Sequence, residues 1–308
     1  HGDLQTDADL GQLVTRCESL LGALPEQSPV QLELAAGLAS YYHQRFEAAG
    51  IESDLERAIC LRLEAVEGSP ANSSELADRQ NALAISLRVR YSKRGSIADL
   101  EQAISLNRAA LRAMPLAAPR RPLVLSSLGN GLRDRFSRSG DVADLEAAID
   151  SLEVAVQASH SRIPAMEGQL TDLANLAVAL STRYRQTGDA VDLERAIDLG
   201  RQAVLSSSQR PQFFAHRLAN LESCLFDRHR RTGSLDDLEE ASGFLRNAVK
   251  VTPQDSPYAA GRMMSLAATL RERFEHVADV VLLEEAVATL RHAAAQMSPM
   301  APSYVLCQ

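Results

Sequence analysis

The sequence predicts an all-α fold, an α-solenoid of about seven helix-turn-helix repeats. Three observations predict it. A six-residue string returns at a nearly constant period along the 308 residues. Apolar residues before and after each string recur in helical steps of three and four. A glycine stands at one fixed place before most of the strings, where a chain reversal is expected.

The string reads DLERAI from Asp54, DLEQAI from Asp99, DLEAAI from Asp144, DLERAI from Asp192 and DLEEAS from Asp237. Weaker copies are DLGQLV from Asp9 and LLEEAV from Leu282. Successive copies lie 45 residues apart, except for one step of 48 between Asp144 and Asp192. The extra three residues are expected in the Ser159–Pro164 loop. A length prior of roughly 150 residues per domain would suggest two domains. The repeat replaces that reading with one array over residues 1–308, with second helices starting near 9, 54, 99, 144, 192, 237 and 282.

The second helix of each pair starts at the string. Its Asp is expected to be the N-cap, accepting orphan amide protons of the first turn. A Glu two residues later (Glu56, Glu101, Glu146, Glu194, Glu239, Glu284) complements the positive helix end. The first helix lies upstream. Sixteen residues before the anchor stands Leu in all six copies that contain it: Leu38, Leu83, Leu128, Leu176, Leu221 and Leu266. One turn on comes Tyr42 or Leu, and one turn further an aromatic residue, with His229 in that slot once. Steps of four keep these on one face. Gly50, Gly95, Gly140, Gly188 and Gly233 then end the helix, and Ala278 breaks the rule in the last copy.

A single pair of this size buries too little to stand alone, so stability must come from stacking on neighbours. The chain also starts and stops within a repeat. His1-Gly2-Asp3 reads as the turn before a second helix, and Ala301–Gln308 as the start of another first helix. It is therefore expected to be a piece of a longer protein.

Small residues add a family resemblance. Four residues after the anchor stand Ala58, Ala103, Ala148, Ala196, Ala241 and Ala286. Seven further on stand Ala65, Ala110, Ala155, Ala203, Ala248 and Ala293, and Pro25, Pro70, Pro115 and Pro253 follow five later. With the Leu83-Ala84, Leu128-Gly129, Leu176-Ala177 and Leu266-Ala267 pairs upstream, this pattern resembles the tetratricopeptide repeat (TPR), in an α-α superhelix. Alanines let two helices approach closely, and proline stops the second. The unit is 11 residues longer than the common 34-residue TPR. The long form, with text such as Arg183-Tyr184-Arg185-Gln186-Thr187-Gly188-Asp189 before the string, resembles arrays in fungal proteins, often beside a CHAT protease domain. No such effector domain is readable in this chain.

Composition excludes several function classes. Net charge is −8 and the chain has no Trp. Of 32 basic residues only Lys93 and Lys250 are lysine. An acidic balance argues against a general nucleic-acid binder. No apolar run approaches the roughly 20 residues of a membrane helix. The four cysteines, Cys17, Cys60, Cys224 and Cys307, are too scattered for a disulfide framework or a metal-ligand spacing, so a reducing, intracellular setting is expected. Cys17 and Cys60 read as small buried hydrophobes. No phosphate loop, HExxH, CxxC or GxSxG occurs, so no catalytic residue, cofactor or metal is expected. The seven histidines are dispersed, and His229 reads as a packed core residue.

One polar position repeats. Nine residues before each anchor stands Arg: Arg45, Arg90, Arg135, Arg183, Arg228 and Arg273. Its fixed register against the core suggests a brace to the anchor Asp or the following Glu. A cation ladder for an acidic ligand is the competing reading.

The TPR resemblance implies that first helices line a concave binding face. The positions carried over include Asn81, Arg88, Asn130, Arg133, Ser181, Arg185, Phe226, Arg230 and Arg271, with Ser40, His43 and Ser223 among the rest. They vary between copies while core positions do not. Their mildly basic character, with backbone-pairing Asn, suggests an extended and partly acidic peptide. No Lys lies there, so the carboxylate clamp of some co-chaperone TPRs is not matched. The expectation is a non-enzymatic scaffold for protein or peptide partners. Alternatives are a small-molecule-binding or enzymatic solenoid with an enclosed pocket, and an RNA-binding solenoid.

Overall fold

A computed structural model describes residues 2–71, 73–160, 167–205, 211–252 and 259–296. The described residues contain thirteen α-helices and no strand. They fall into two compact units, residues 1–159 and 160–308. The first holds α1 (Gly2–Ala23), α2 (Pro29–Ala49), α3 (Glu52–Glu67), α4 (Ser74–Arg94), α5 (Ile97–Ala113), α6 (Arg121–Ser139) and α7 (Val142–His160), whose last residue crosses the boundary. The second holds α8 (Glu167–Thr187), α9 (Ala190–Leu205), α10 (Pro211–Thr232), α11 (Leu235–Val251), α12 (Ala259–Val277) and α13 (Val280–Gln296). Within each unit, sequential helices pack as hairpins and each hairpin packs on the next. The Ser159–Pro164 insertion falls largely outside the described residues, as do Pro253, Pro299 and Ala301–Gln308.

Six second helices begin two residues before the expected anchors, at Glu52, Ile97, Val142, Ala190, Leu235 and Val280. The anchor Asp is therefore not the N-cap. It occupies the third helical position, and the cap is three residues upstream. Ser96 Oγ accepts from the Asp99 amide, while Asp141 and Asp189 accept from the amides of Ala143 and Val191. The first copy departs further. Helix α1 begins at Gly2 and runs through Asp9, so the turn expected at His1-Gly2-Asp3 is not formed. No glycine or proline separates Gly2 from Asp9 in the way that Gly50 precedes Asp54, so nothing local interrupts the helix.

First helices end on the expected glycines. Gly50, Gly95, Gly140, Gly188 and Gly233 all have φ between 69° and 76°. Each donates its amide to the carbonyl of the residue in the aromatic slot, as in Gly140 to Phe136 at 2.7 Å. Ala278 makes the same bond to Phe274 at 2.8 Å with φ of 55°. A Cβ in that left-handed region is strained.

The core follows the repeat. The six leucines of the first-helix stripe and both alanine series of the second helices are buried throughout. The alanines earn no large area of their own; they allow close approach. A Cβ on Gly129 would lie 2.7 Å from Leu152 Cγ and 3.0 Å from the Ala148 carbonyl oxygen, so α6 and α7 touch almost backbone to backbone. In the first copy, where Leu13 and Leu20 replace the alanines, both leucines are exposed. Cys60 is also exposed and Cys17 half-buried, against the buried positions expected for them.

The repeated arginine is a brace. Arg90 Nε and Nη2 donate to the Asp99 carboxylate at 2.8 and 2.7 Å. The same bidentate pair joins Arg45 to Asp54, Arg135 to Asp144, Arg183 to Asp192 and Arg228 to Asp237. The spare Nη1 reaches back one repeat: Arg90 to Glu56 at 2.8 Å, Arg135 to Glu101 at 2.9 Å, Arg228 to Glu194 at 2.6 Å. The hydrogen bond to its aspartate, ahead of any other influence, pushes the pKa of Arg45, Arg90, Arg135 and Arg228 above the ordinary arginine value. Arg273 has no Asp to meet, because its anchor is Leu282. It donates instead to Ser242 Oγ at 3.0 Å and lies 3.7 Å from Glu239.

The glycine caps give a direct test. Ala278→Gly should stabilise the chain by about 1 kcal/mol, and Gly140→Ala should destabilise it by a similar amount. Urea unfolding midpoints of the two variants should move in opposite directions.

Candidate functional site

Within each unit the first helices, which carry the positions expected to bind, lie side by side. In the first unit these helices are α2, α4 and α6. Asn81 and Asn130 are buried, at 4% and 8% exposure, so they offer little surface to a ligand. Their Oδ1 atoms are buried without a hydrogen-bond partner. Arg88 and Arg133 are half-buried and share one carboxylate. Arg88 Nη1 donates to Asp134 at 3.1 Å, and Arg133 Nη2 lies 3.6 Å from the same side chain. Burial pushes the Arg133 pKa down; Asp134 opposes that and Arg88 adds to it.

His43, another expected lining position, is buried inside a polar chain. Arg62, reaching in from α3, donates to the Ala82 carbonyl at 2.7 Å and also to Ser86 Oγ. The Ser86 hydroxyl, accepting from Arg62, has its own proton free for His43 Nδ1 at 3.1 Å. That leaves the His43 proton on Nε2, facing Glu47 at 3.5 Å. Burial, with a smaller contribution from the Arg62 charge, lowers the His43 pKa from 6.5 to about 4. Burial also lowers that of Arg62, to about 10.

In the second unit the corresponding helices are α8, α10 and α12. Ser181 is buried and its hydroxyl donates to the Val178 carbonyl of its own helix. Arg185 is exposed and joins α8 to α10, donating to Asp227 at 2.9 Å and to Ser223 Oγ at 2.7 Å. Phe226 is half-buried, and Arg230 is exposed. Arg271 is exposed and lies 3.4 Å from Glu275 one turn on. It also borders a 280 Å³ hollow between α12 and α13, beside Met264, Leu283 and Val287.

The face is thus less basic than the sequence suggests. Asp134 and Asp227 are not among the positions carried over, yet they neutralise Arg88, Arg133 and Arg185. A carboxylate immediately after Arg133, and another three residues before Arg230, was the readable signal. The exposed arginines of the set are Arg185, Arg230 and Arg271, all in the second unit, with Asp227 beside the first and Glu275 beside the last.

Two features were not legible in the sequence. The first is an apolar cleft of about 970 Å³ among α1, α2 and the start of α4, bordered by Leu13, Val14, Cys17, Val30, Leu34 and Tyr41. The second is a meeting of histidines that are dispersed in sequence. His229 Nε2 on α10 lies 3.3 Å from His276 Nε2 on α12, with Glu272 one turn before His276. His229 is buried, as its core slot suggests, but its ring is not merely packed.

No family model matches the chain, and no curated protein matches it. Solved structures do. BtubC (BKLC) from P. vanneervenii is 20% identical over 80% of this chain and 94% of its own, with a TM-score of 0.53. PilF of Pseudomonas aeruginosa is 14% identical over 88% of this chain and 97% of its own, with a TM-score of 0.52. The S. pombe nuclear import adaptor Nro1 is 16% identical over 92% of this chain and 97% of its own, with a TM-score of 0.51. At these identities the likeness shows the fold, an all-α array of TPR-like helix hairpins. Among the described residues no helix is long and apolar enough to cross a membrane.

His43 makes the polar chain testable. Its folded pKa lies below its unfolded one, so the unfolded chain takes up the proton first as pH falls. Stability is fully present above about pH 6.5 and is lost as pH falls from there towards about 4. Urea midpoints measured across that window should fall more steeply for the wild type than for His43→Gln. Equal slopes would show that His43 is not held neutral by burial.

Proposed function

We propose that this protein is a non-enzymatic scaffold that binds a protein or peptide segment along its first-helix face. The observation that carries the reading is the contrast between two sets of positions on the same helices. Leu, aromatic, Gly and Arg recur in register and hold the fold. The residues between them change from copy to copy: Asn81, Ser126, Ala174, Ala219 and Met264 do not repeat one chemistry, and neither do Ser92, Ser137, Arg185, Arg230 and Glu275. A varied surface on a constant frame presents a different contact at each hairpin, which suits recognition of an extended segment.

The exposed arginines, Arg185, Arg230 and Arg271, favour acidic groups in that segment, through charge-assisted hydrogen bonds. The half-buried Arg88 and Arg133 are better suited to fixing Asp134 than to meeting a ligand. The name of one structural neighbour, a nuclear import adaptor, fits a binding role of this general kind. The cleft among α1, α2 and α4 is lined mostly by apolar side chains, which suits binding better than catalysis.

The test compares partner capture by the wild type and by a variant with Glu at 185, 230 and 271. Arg108→Glu, exposed on second helix α5, serves as the control. The triple variant should lose its partners while the control keeps them. An unchanged partner set in the triple variant would remove the first-helix face of the second unit from the binding function.

A further inference from the structure

The second unit contains a side-chain cluster that the scaffold role does not use. His229 sits near the end of α10, and Glu272 and His276 lie one turn apart near the end of α12. Ligand atoms of the three all lie within 4.8 Å of one another. We propose that His229, Glu272 and His276 form a binding site for a divalent metal ion of the zinc class, tying α10 to α12.

Three features of the geometry point to a metal. The two Nε2 atoms are 3.3 Å apart. Two imidazole nitrogens on a tetrahedral zinc, each bonded at about 2.0–2.1 Å, stand roughly 3.4 Å apart. The rings meet nearly at right angles, at 77°, so that their edges converge rather than stack. The third feature lies behind the first ligand. His229 Nδ1 is 2.7 Å from the Ser234 carbonyl oxygen, which only accepts. Nδ1 must therefore carry the proton, and Nε2 presents a lone pair towards His276. A metal-bound histidine is oriented by this kind of outer hydrogen bond. Glu272 adds the anionic ligand of a two-histidine, one-carboxylate set. His276 is exposed, which leaves a fourth position open to water.

The location gives the site a structural purpose. Elsewhere an Arg–Asp pair fixes each first helix to its own second helix. In the last hairpin that pair is missing, because Leu282 replaces the anchor Asp, and Ala278 strains the cap. Helix α12 is held to the preceding repeat through Arg273, Ser242 and the Thr269–Glu222 contact. A metal between His229 and His276 would add a further tie on the same side. The other copies fill the slot of His229 with an aromatic ring: Phe46, Tyr91, Phe136, Tyr184 and Phe274.

That last point supplies the test. The untagged 308-residue chain, stripped with chelator, is titrated with zinc by calorimetry and with cobalt(II) by visible absorption. The wild type should bind one zinc with micromolar or tighter affinity, give the absorption of tetrahedral cobalt, and melt at a higher temperature with zinc than without. His229→Phe restores the aromatic of the other copies, so its metal-free melting temperature should match or exceed the wild type. Its zinc affinity, and that of His276→Ala, should fall at least tenfold, with no zinc-dependent gain in melting temperature. A wild type that binds no stoichiometric zinc, or a His229→Phe variant that binds it equally well, would overturn the site.

Discussion

A buried aspartate near the start of five second helices is the constraint on which the repeat depends. Asp54, Asp99, Asp144, Asp192 and Asp237 are between 2% and 6% exposed. A carboxylate so placed is costly unless it is both paired and hydrogen-bonded. The arginine nine residues upstream supplies both through two parallel bonds, across the turn that the left-handed glycine makes. In Arg90, Arg135 and Arg228 the remaining nitrogen reaches the glutamate of the preceding repeat. One side chain thereby fixes the angle within a hairpin and the register between hairpins. Its planar fork does what a lysine could not, which is consistent with arginine at all six positions.

Around this brace, the alanines of the second helices permit close contact and the leucines of the first helices fill what remains. A second set of ties runs between successive second helices: Arg57 to Glu18, Arg201 to Glu240 and Arg246 to Glu285, all bidentate. Hydrogen bonding from Arg57 and Arg246 holds the carboxyl groups of Glu18 and Glu285 below the usual range. These pairs are partly exposed and add less than the buried aspartates do. Because core, caps and braces use fixed positions, the residues between them are released to vary.

Much of the fold was legible because it rests on local rules repeated many times. The spacing of Gly50, Gly95, Gly140, Gly188 and Gly233 marks helix ends through backbone conformation alone. The Arg register points to the brace. The error at the anchor Asp has a physical cause: Asp suits both an N-cap and the third helical position, and composition does not tell them apart. What escaped the sequence depends on contacts between helices of different repeats. Asn81 and Asn130 sit on the expected side of their helices but too deep to be open. Asp134 and Asp227 become partners of Arg88 and Arg185 only when neighbouring first helices align. His229 and His276 are 47 residues apart and do not share a slot in the repeat, so no spacing motif joins them.

The most direct measurement is a double-mutant cycle at Arg135 and Asp144, using Arg135→Ala, Asp144→Asn and the double variant in urea unfolding. A brace that anchors the hairpin should give each single variant a loss of about 1–3 kcal/mol, with a coupling energy of similar size. A coupling below about 0.5 kcal/mol, as expected for an exposed pair such as Arg271 and Glu275, would contradict the central role of the brace.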